Sequence, residues 1–245
     1  MRYGIFSDIH GNLEGMRACF ERLQKEGVDA YINCGDIIGY GPDPEACVKA
    51  VMNLKNCISV MGNHDAVFVD PELESYFNRE AMLALEYSKT KLSEKSVRFL
   101  SALPPLYRGD GFTVVHGTPI DPIKEYFSSC MQFKVNYDLW AGHVCFVGHT
   151  HLPFYIKGNT RNCGVFVNRK EDSVIRLNPN FRYIINPGSC GKPRDNDSRA
   201  SFGIWDTEKR TFRFLRETYD FLPTQEKMAK AKLPSFLVDS LSLGI

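Results

Sequence analysis

The chain has no apolar run near the roughly 18 residues that a bilayer-spanning helix needs, so no membrane span is expected. It has almost no charge imbalance. Thirty basic against 29 acidic side chains leave a formal +1, which removes the basic footprint of a non-specific nucleic-acid binder, although a local basic patch stays open. It has no CxxC pair. The eight cysteines, Cys19, Cys34, Cys47, Cys57, Cys130, Cys145, Cys163 and Cys190, are scattered, and read as mostly buried thiols in a reducing compartment. No P-loop or GxSxG elbow occurs, which argues against nucleotide chemistry on a Walker loop and against a serine nucleophile. Asp8 arrives before any signal-type apolar stretch can form, so a cytoplasmic protein is expected. No internal repeat or linker composition divides the 245 residues. One domain, 1–245, with a helical tail from about 223, is the expected organisation.

What is present begins as alternating strand and helix. Arg2 to Ser7 is a short apolar run, and Leu13 to Glu26 then carries Leu13, Met16, Cys19, Phe20 and Leu23 at helical spacing. Ala30 to Cys34 predicts a second strand, Pro44 to Lys55 a second helix and Cys57 to Met61 a third strand. A βαβαβ unit implies a parallel sheet, with ligands gathered at the carboxyl ends of its strands. Pro71 to Ala102 turns helical, with Ser93 placed as an N-cap, and should pack over the sheet. Strand patterns return at Phe112 to Val115, Val144 to Val147, Phe154 to Lys157, Tyr183 to Ile185, Ser201 to Trp205 and Thr211 to Glu217, and these later strands read as a second sheet. Lys192 to Arg199 is charged and turn-rich. Thr224 to Ile245 reads as one or two helices around Pro234.

The chemistry lies where the strands end. Asp8 and His10 follow the first strand, Asp36 the second, Asn63 and His64 the third, His116 the Phe112–Val115 strand, and His149 and His151 the Val144–Val147 strand. Asp8 with His10, and His149 with His151, stand two apart, so extended backbone would turn each pair toward one locus. Gly11, Gly35, Gly62, Gly117 and Gly148 adjoin these segments and permit positive φ and close backbone approach. Each motif alone is weak, since Gly-Asp turns and HxH pairs are common. Five of the six histidines nevertheless fall in these segments. The sixth, His143, has no acidic or histidine neighbour and reads as structural or exposed.

In this order SDIHGN, CGDIIGYGPDP, MGNHDA, VHGTP and GHTH resemble the calcineurin-like metallophosphoesterase superfamily. GYGPDP and NPGSCGKPR are similar to its small single-domain prokaryotic branch, whose members are described as phosphodiesterases or diadenosine-tetraphosphatase-like hydrolases. The resemblance implies a four-layer α-β-β-α sandwich, with two mixed sheets face to face and helices outside. It also implies two divalent or mixed-valence ions, one held by Asp8, His10, Asp36 and His151, the other by Asp36, Asn63, His116 and His149. Imidazole, carboxylate and amide donors without thiolate suit manganese, iron or zinc. His64 resembles the family's non-ligand histidine that protonates the leaving alkoxide, and the alternative is a histidine that only orders the loop.

Two divalent ions bring four positive charges and Asp8 and Asp36 return two, leaving about +2 to attract phosphate. Such a pair can acidify a water to the hydroxide that attacks phosphorus. The expected activity is therefore hydrolysis of phosphate esters or anhydrides, on nucleotide-type diesters or dinucleoside polyphosphates. A catalytically silent metal-binding scaffold, and a protein phosphatase or nuclease of the same superfamily, are the alternatives. Asp65 could orient His64 or be an exposed turn carboxylate. Asn12 and Tyr40 are candidate substrate contacts, set against a turn-stabilising amide and a packed aromatic. Arg194 could clamp a phosphate or be a solvated turn charge. Selectivity is expected from loops around 66–100 and 117–140.

Overall fold

The computed structural model describes residues 1–168 and 172–245. The expected βαβαβ opening forms as β1 (Arg2–Phe6), α1 (Leu13–Lys25), β2 (Ala30–Asn33), α2 (Pro44–Asn53) and β3 (Cys57–Ser59). Its punctuation is local. Asn12 accepts the Gly15 amide to cap α1, Gly27 ends it at φ +68°, and Pro44 sits in the first turn of α2, where its missing N–H costs nothing. A short α3 (Asn63–Ala66) and a 3-10 turn (Pro71–Tyr76) precede α4 (Arg79–Lys91) and α5 (Glu94–Ser101), with Ser93 capping α5.

The remainder supplies β4 (Leu106–Arg108), β5 (Phe112–Val115), α6 (Cys130–Asn136), β6 (Val144–Phe146), β7 (Pro153–Gly158), β8 (Cys163–Val167) and β9 (Val174–Arg176). It closes with β10 (Arg182–Pro187), β11 (Ala200–Asp206), β12 (Thr211–Glu217), α7 (Leu222–Lys230) and α8 (Ser235–Leu243), the last two separated at Pro234. Among the described residues these strands make two six-stranded mixed sheets, β3-β2-β1-β11-β12-β9 and β4-β5-β6-β10-β7-β8. No helix among them is long and apolar enough to cross a membrane.

The second sheet is not the run of all later strands that the pattern suggested. β11 returns to pair antiparallel with β1, Ile5 opposite Gly203, and brings β12 and β9 with it. Strand propensity marks β11 as a strand, but pairing is decided by which faces must be buried, and β11 is buried on both. Period-two alternation assigns those faces. Ile5, Trp205, Phe112, Phe146, Tyr183 and Phe212 fill the space between the sheets, whereas Phe6, Phe202 and Ile204 point to the layer of α1, α2 and α5. Each sheet is thus covered on both faces, and the result is the expected four-layer α/β sandwich.

The reading of the cysteines needs one correction. Cys130 and Cys163 form a disulfide, with Cα atoms 5.7 Å apart, while the other six remain thiols. The β7–β8 hairpin folds Cys163 back opposite Gly158, whose missing side chain makes room for Phe133 of α6. A contact made by tertiary packing across 33 residues leaves no spacing signal.

If the layer between the sheets sets stability, Phe212→Ala, fully buried beside Phe146 and Phe214, should cost about 3–5 kcal/mol. Val165→Ala on the exposed face of β8 should stay within about 0.5 kcal/mol. Urea unfolding midpoints measure both, and equal losses would contradict this placement of the core.

Candidate metal centre

β1, β2, β3, β5 and β6 all run out at one edge of the sandwich, and their following turns carry the candidate ligands. Asp8, His10, Asp36, His64, His116, His149 and His151 are all buried there, with Asn63 partly exposed. The backbone reaches this edge in an unexpected way. Asp8, His10, Asp36, His149 and His151 have φ between 50° and 68°, so each two-residue pair converges through left-handed turns and not through extended chain. Such conformations cost non-glycine residues about 1–3 kcal/mol each and cluster at functional sites. Of the flanking glycines only Gly11 and Gly35 have positive φ. Gly62 serves by close approach, because a Cβ there would lie 2.0 Å from Asp36 Oδ1.

Four of the histidines share one arrangement. His10 Nδ1–H donates to the Ile38 carbonyl (3.0 Å), His116 Nδ1–H to Cys34 (2.8 Å), His151 Nδ1–H to Lys192 (2.5 Å) and His149 Nε2–H to Lys124 (3.0 Å). Because a carbonyl can only accept, each bond fixes the tautomer and leaves the other ring nitrogen as the inward lone pair. Those nitrogens meet head to head. His10 Nε2 lies 3.0 Å from His151 Nε2, and His116 Nε2 lies 3.1 Å from His149 Nδ1. Asp36 Oδ2 stands between the two pairs, 3.5 Å from His10 Nε2 and 3.4 Å from His116 Nε2. Asp8 Oδ1 lies 3.4 Å from His151 Nε2 and Asn63 Oδ1 3.2 Å from His116 Nε2.

Two neutral imidazoles cannot satisfy each other lone pair to lone pair, so each pair requires a proton or a cation between its nitrogens. The carboxylates require the same. Asp8 Oδ2 and Asp36 Oδ2 are buried without a hydrogen-bond partner. Burial pushes the Asp8 carboxyl up to about 7, with neighbouring Asp36 adding to the shift and His116 opposing it. Burial opposes charge on His116 too, yet Asp36 overrides it and raises His116 to about 9. Burial keeps His10 and His151 neutral and lowers His149 to about 3. Nitrogen and oxygen donors grouped as Asp8–His10–His151, Asp36–His116–His149 and His10–Asp36–His64 are chemically fit for divalent metal ions.

His64 packs edge-on to His10, Tyr40 and Phe77, with Nδ1 buried and unpartnered. Burial lowers it to about 4, against the opposing charge of Asp36. Asp65 neither orients His64 nor lies exposed. It is fully buried and accepts the amides of Ile37, Ile38 and Gly62, tying the Asp36 turn to the Asn63 turn. Asn12 lies beneath the site, its oxygen capping α1 and its amide donating to Gly191 O and Tyr219 Oη. Tyr40 lies tilted against His10 and edge-on to His64, and its hydroxyl accepts from Arg194, whose loop therefore does reach this edge. His143 is exposed and apart.

Sequence reasoning missed Lys192 and Lys124, whose backbone carbonyls hold His151 and His149. Any side chain could stand there, so no motif announces them. Lys192 is also buried, and burial with nearby Arg194 lowers its ammonium to about 7.

A family model for calcineurin-like phosphoesterases matches residues 1–186. The uncharacterized protein MJ0912 of Methanocaldococcus jannaschii is 34% identical over 98% of this chain and 97% of its own length. The phosphodiesterase MJ0936 of the same organism is 25% identical, over 87% of this chain and 97% of its own. A metallophosphoesterase structure from Sphaerobacter thermophilus is similar with a TM-score of 0.88 and 36% identity, over 100% of this chain and 99% of that one. With that match across most of its length, the chain belongs to the calcineurin-like phosphoesterase family and is a hydrolase of phosphate esters.

Proposed function

We propose that the chain, working as one domain, hydrolyses nucleotide-type phosphodiesters or dinucleoside polyphosphates at two divalent cations. The observation that carries this reading is the pair of head-to-head imidazoles with Asp36 Oδ2 between them. Asp8, His10, Asp36 and His151 would hold one ion, and Asp36, Asn63, His116 and His149 the other. The donor set suits manganese, iron or zinc. When bound, such a pair supplies an acidified water and neutralises charge developing on phosphate.

The chain's own residues do the rest. His64 borders the cleft beside the centre, from where it delivers a proton to the departing oxygen once an anionic substrate favours its charged form. Arg194, held by the Tyr40 hydroxyl, offers a fork of donors to a non-bridging phosphate oxygen. Asn12, with its polar atoms engaged inside the protein, is left as a support of the Gly191 loop. That the relative MJ0936 is a phosphodiesterase supports diesters over phosphoproteins.

After manganese reconstitution, elemental analysis should approach about two ions per chain, and nucleotide diesters should turn over faster than a phosphoserine peptide. One ion at saturation, or the reverse substrate order, would contradict the proposal.

His64→Asn should keep both ions yet slow esters of poor leaving groups about 10²–10⁴-fold, with a smaller loss for nitrophenyl esters. Rates across a leaving-group series, with metal content measured in each sample, test this. A uniform loss would make His64 a phosphate-positioning residue, and loss of metal would make it a ligand.

A further inference from the structure

Beside the metal centre opens a cleft of about 290 Å³, the scale of a small ligand. Its floor is Asn63, His64 and His149, and its walls include Tyr76, Phe77 and Tyr126. Neither tyrosine is buried. Tyr76 is 70% and Tyr126 49% exposed, an arrangement that leaves aromatic faces in water unless a ligand covers them. Among the side chains bordering the cleft none is acidic and Lys124 is cationic, so the cleft accepts an anion.

Tyr126 is a fixed surface. Its ring lies parallel to His149, 3.9 Å between centroids at 7°, which covers one face, and the residue borders the cleft. The segment below it is tied down at each step. Asp121 Oδ1 accepts the Lys124 amide, Thr118 donates to Glu125, and Gln132 Nε2 donates to Glu125 and to the Tyr126 carbonyl. Across the cleft the Lys124 ammonium sits 4.9 Å from the Tyr76 ring centre. Asn78 uses its oxygen to cap α4 and keeps its amide N–H groups to offer a ligand edge.

We propose that this cleft binds a planar nucleobase whose phosphate lies over the metal centre, with Tyr126 as the stacking platform and Tyr76 as the opposing wall. The proposal rests on the phosphoesterase reading above and adds the part of the substrate that the metals do not touch. Stacking on aromatic side chains suits any base, so the site selects for a nucleoside and not for one sequence letter. Because the Lys124 carbonyl and the Tyr126 ring both hold His149, a base seated here would also steady a metal ligand.

The test is a fluorescence titration of the zinc-loaded protein with 2-aminopurine riboside 5′-monophosphate, whose emission falls on stacking. The expected result is saturable quenching, weakened at least about fivefold by Tyr126→Ala and by Tyr76→Ala and retained by Tyr126→Phe. Adenosine 5′-monophosphate should displace the probe at least about tenfold better than ribose 5-phosphate. Equal displacement by the two, or unaltered affinity in both alanine variants at unchanged zinc content, would overturn the base site. Binding as expected without hydrolysis of bis(p-nitrophenyl) phosphate would uphold the base site and count against the phosphodiesterase reading instead.

Discussion

The structure depends on two contacts that need a proton or a cation between them: imidazole nitrogens facing each other at 3.0 and 3.1 Å, each with its other nitrogen committed to a carbonyl. With one nitrogen of each ring held by a carbonyl, only a proton or a cation between the facing nitrogens relieves them. Positive charge placed between the nitrogens does so, and Asp36 Oδ2 lies where it meets both pairs. The left-handed turns at Asp8, His10, Asp36, His149 and His151 are the conformational cost of bringing these groups together. Fully buried Asp65, bonded to amides on two separate turns, keeps that geometry closed.

The two-sheet fold explains why the site can be assembled at all. Asp8, His10 and Asp36 leave the first sheet, and His116, His149 and His151 leave the second, so the donor set comes in two halves, one from each layer, and the groups Asp8–His10–His151 and Asp36–His116–His149 each draw on both. The distance between the halves is set by the aromatic packing between the sheets, where Phe112, Phe146, Trp205 and Phe212 interlock. Loss of that packing would act on the metal centre before it touched any ligand. The antiparallel return of β11 beside β1 braces the strand that carries Asp8 and His10.

The segments that carry the candidate ligands could be picked out because metal chemistry needs particular side chains, and glycine or a strand end marks each one. The early strands and helices were legible from their periods and α5 from its cap at Ser93, whereas the capping role of Asn12 was not. What escaped depended on residues acting through backbone or through distant packing. Lys124, Lys192, Cys34 and Ile38 contribute carbonyls, which no side-chain pattern encodes. Cys130 meets Cys163 only after the β7–β8 hairpin folds. The sheet to which β11 belongs, and the left-handed turns that replace extended chain, are likewise decisions of tertiary burial. The loops around 66–100 and 117–140 supply Tyr76 and Tyr126 to the cleft.

The central claim is that these buried groups are complete only with cations between them. Thermal unfolding of the protein after chelation, then during titration with manganese or zinc, tests it most directly. Binding confined to the folded state contributes about 2.7 kcal/mol at a hundredfold excess over the dissociation constant, which corresponds to roughly 5–10 °C for a chain of this size. The account predicts a rise of that order that vanishes in Asp36→Asn. A midpoint indifferent to chelator and to added metal would contradict it.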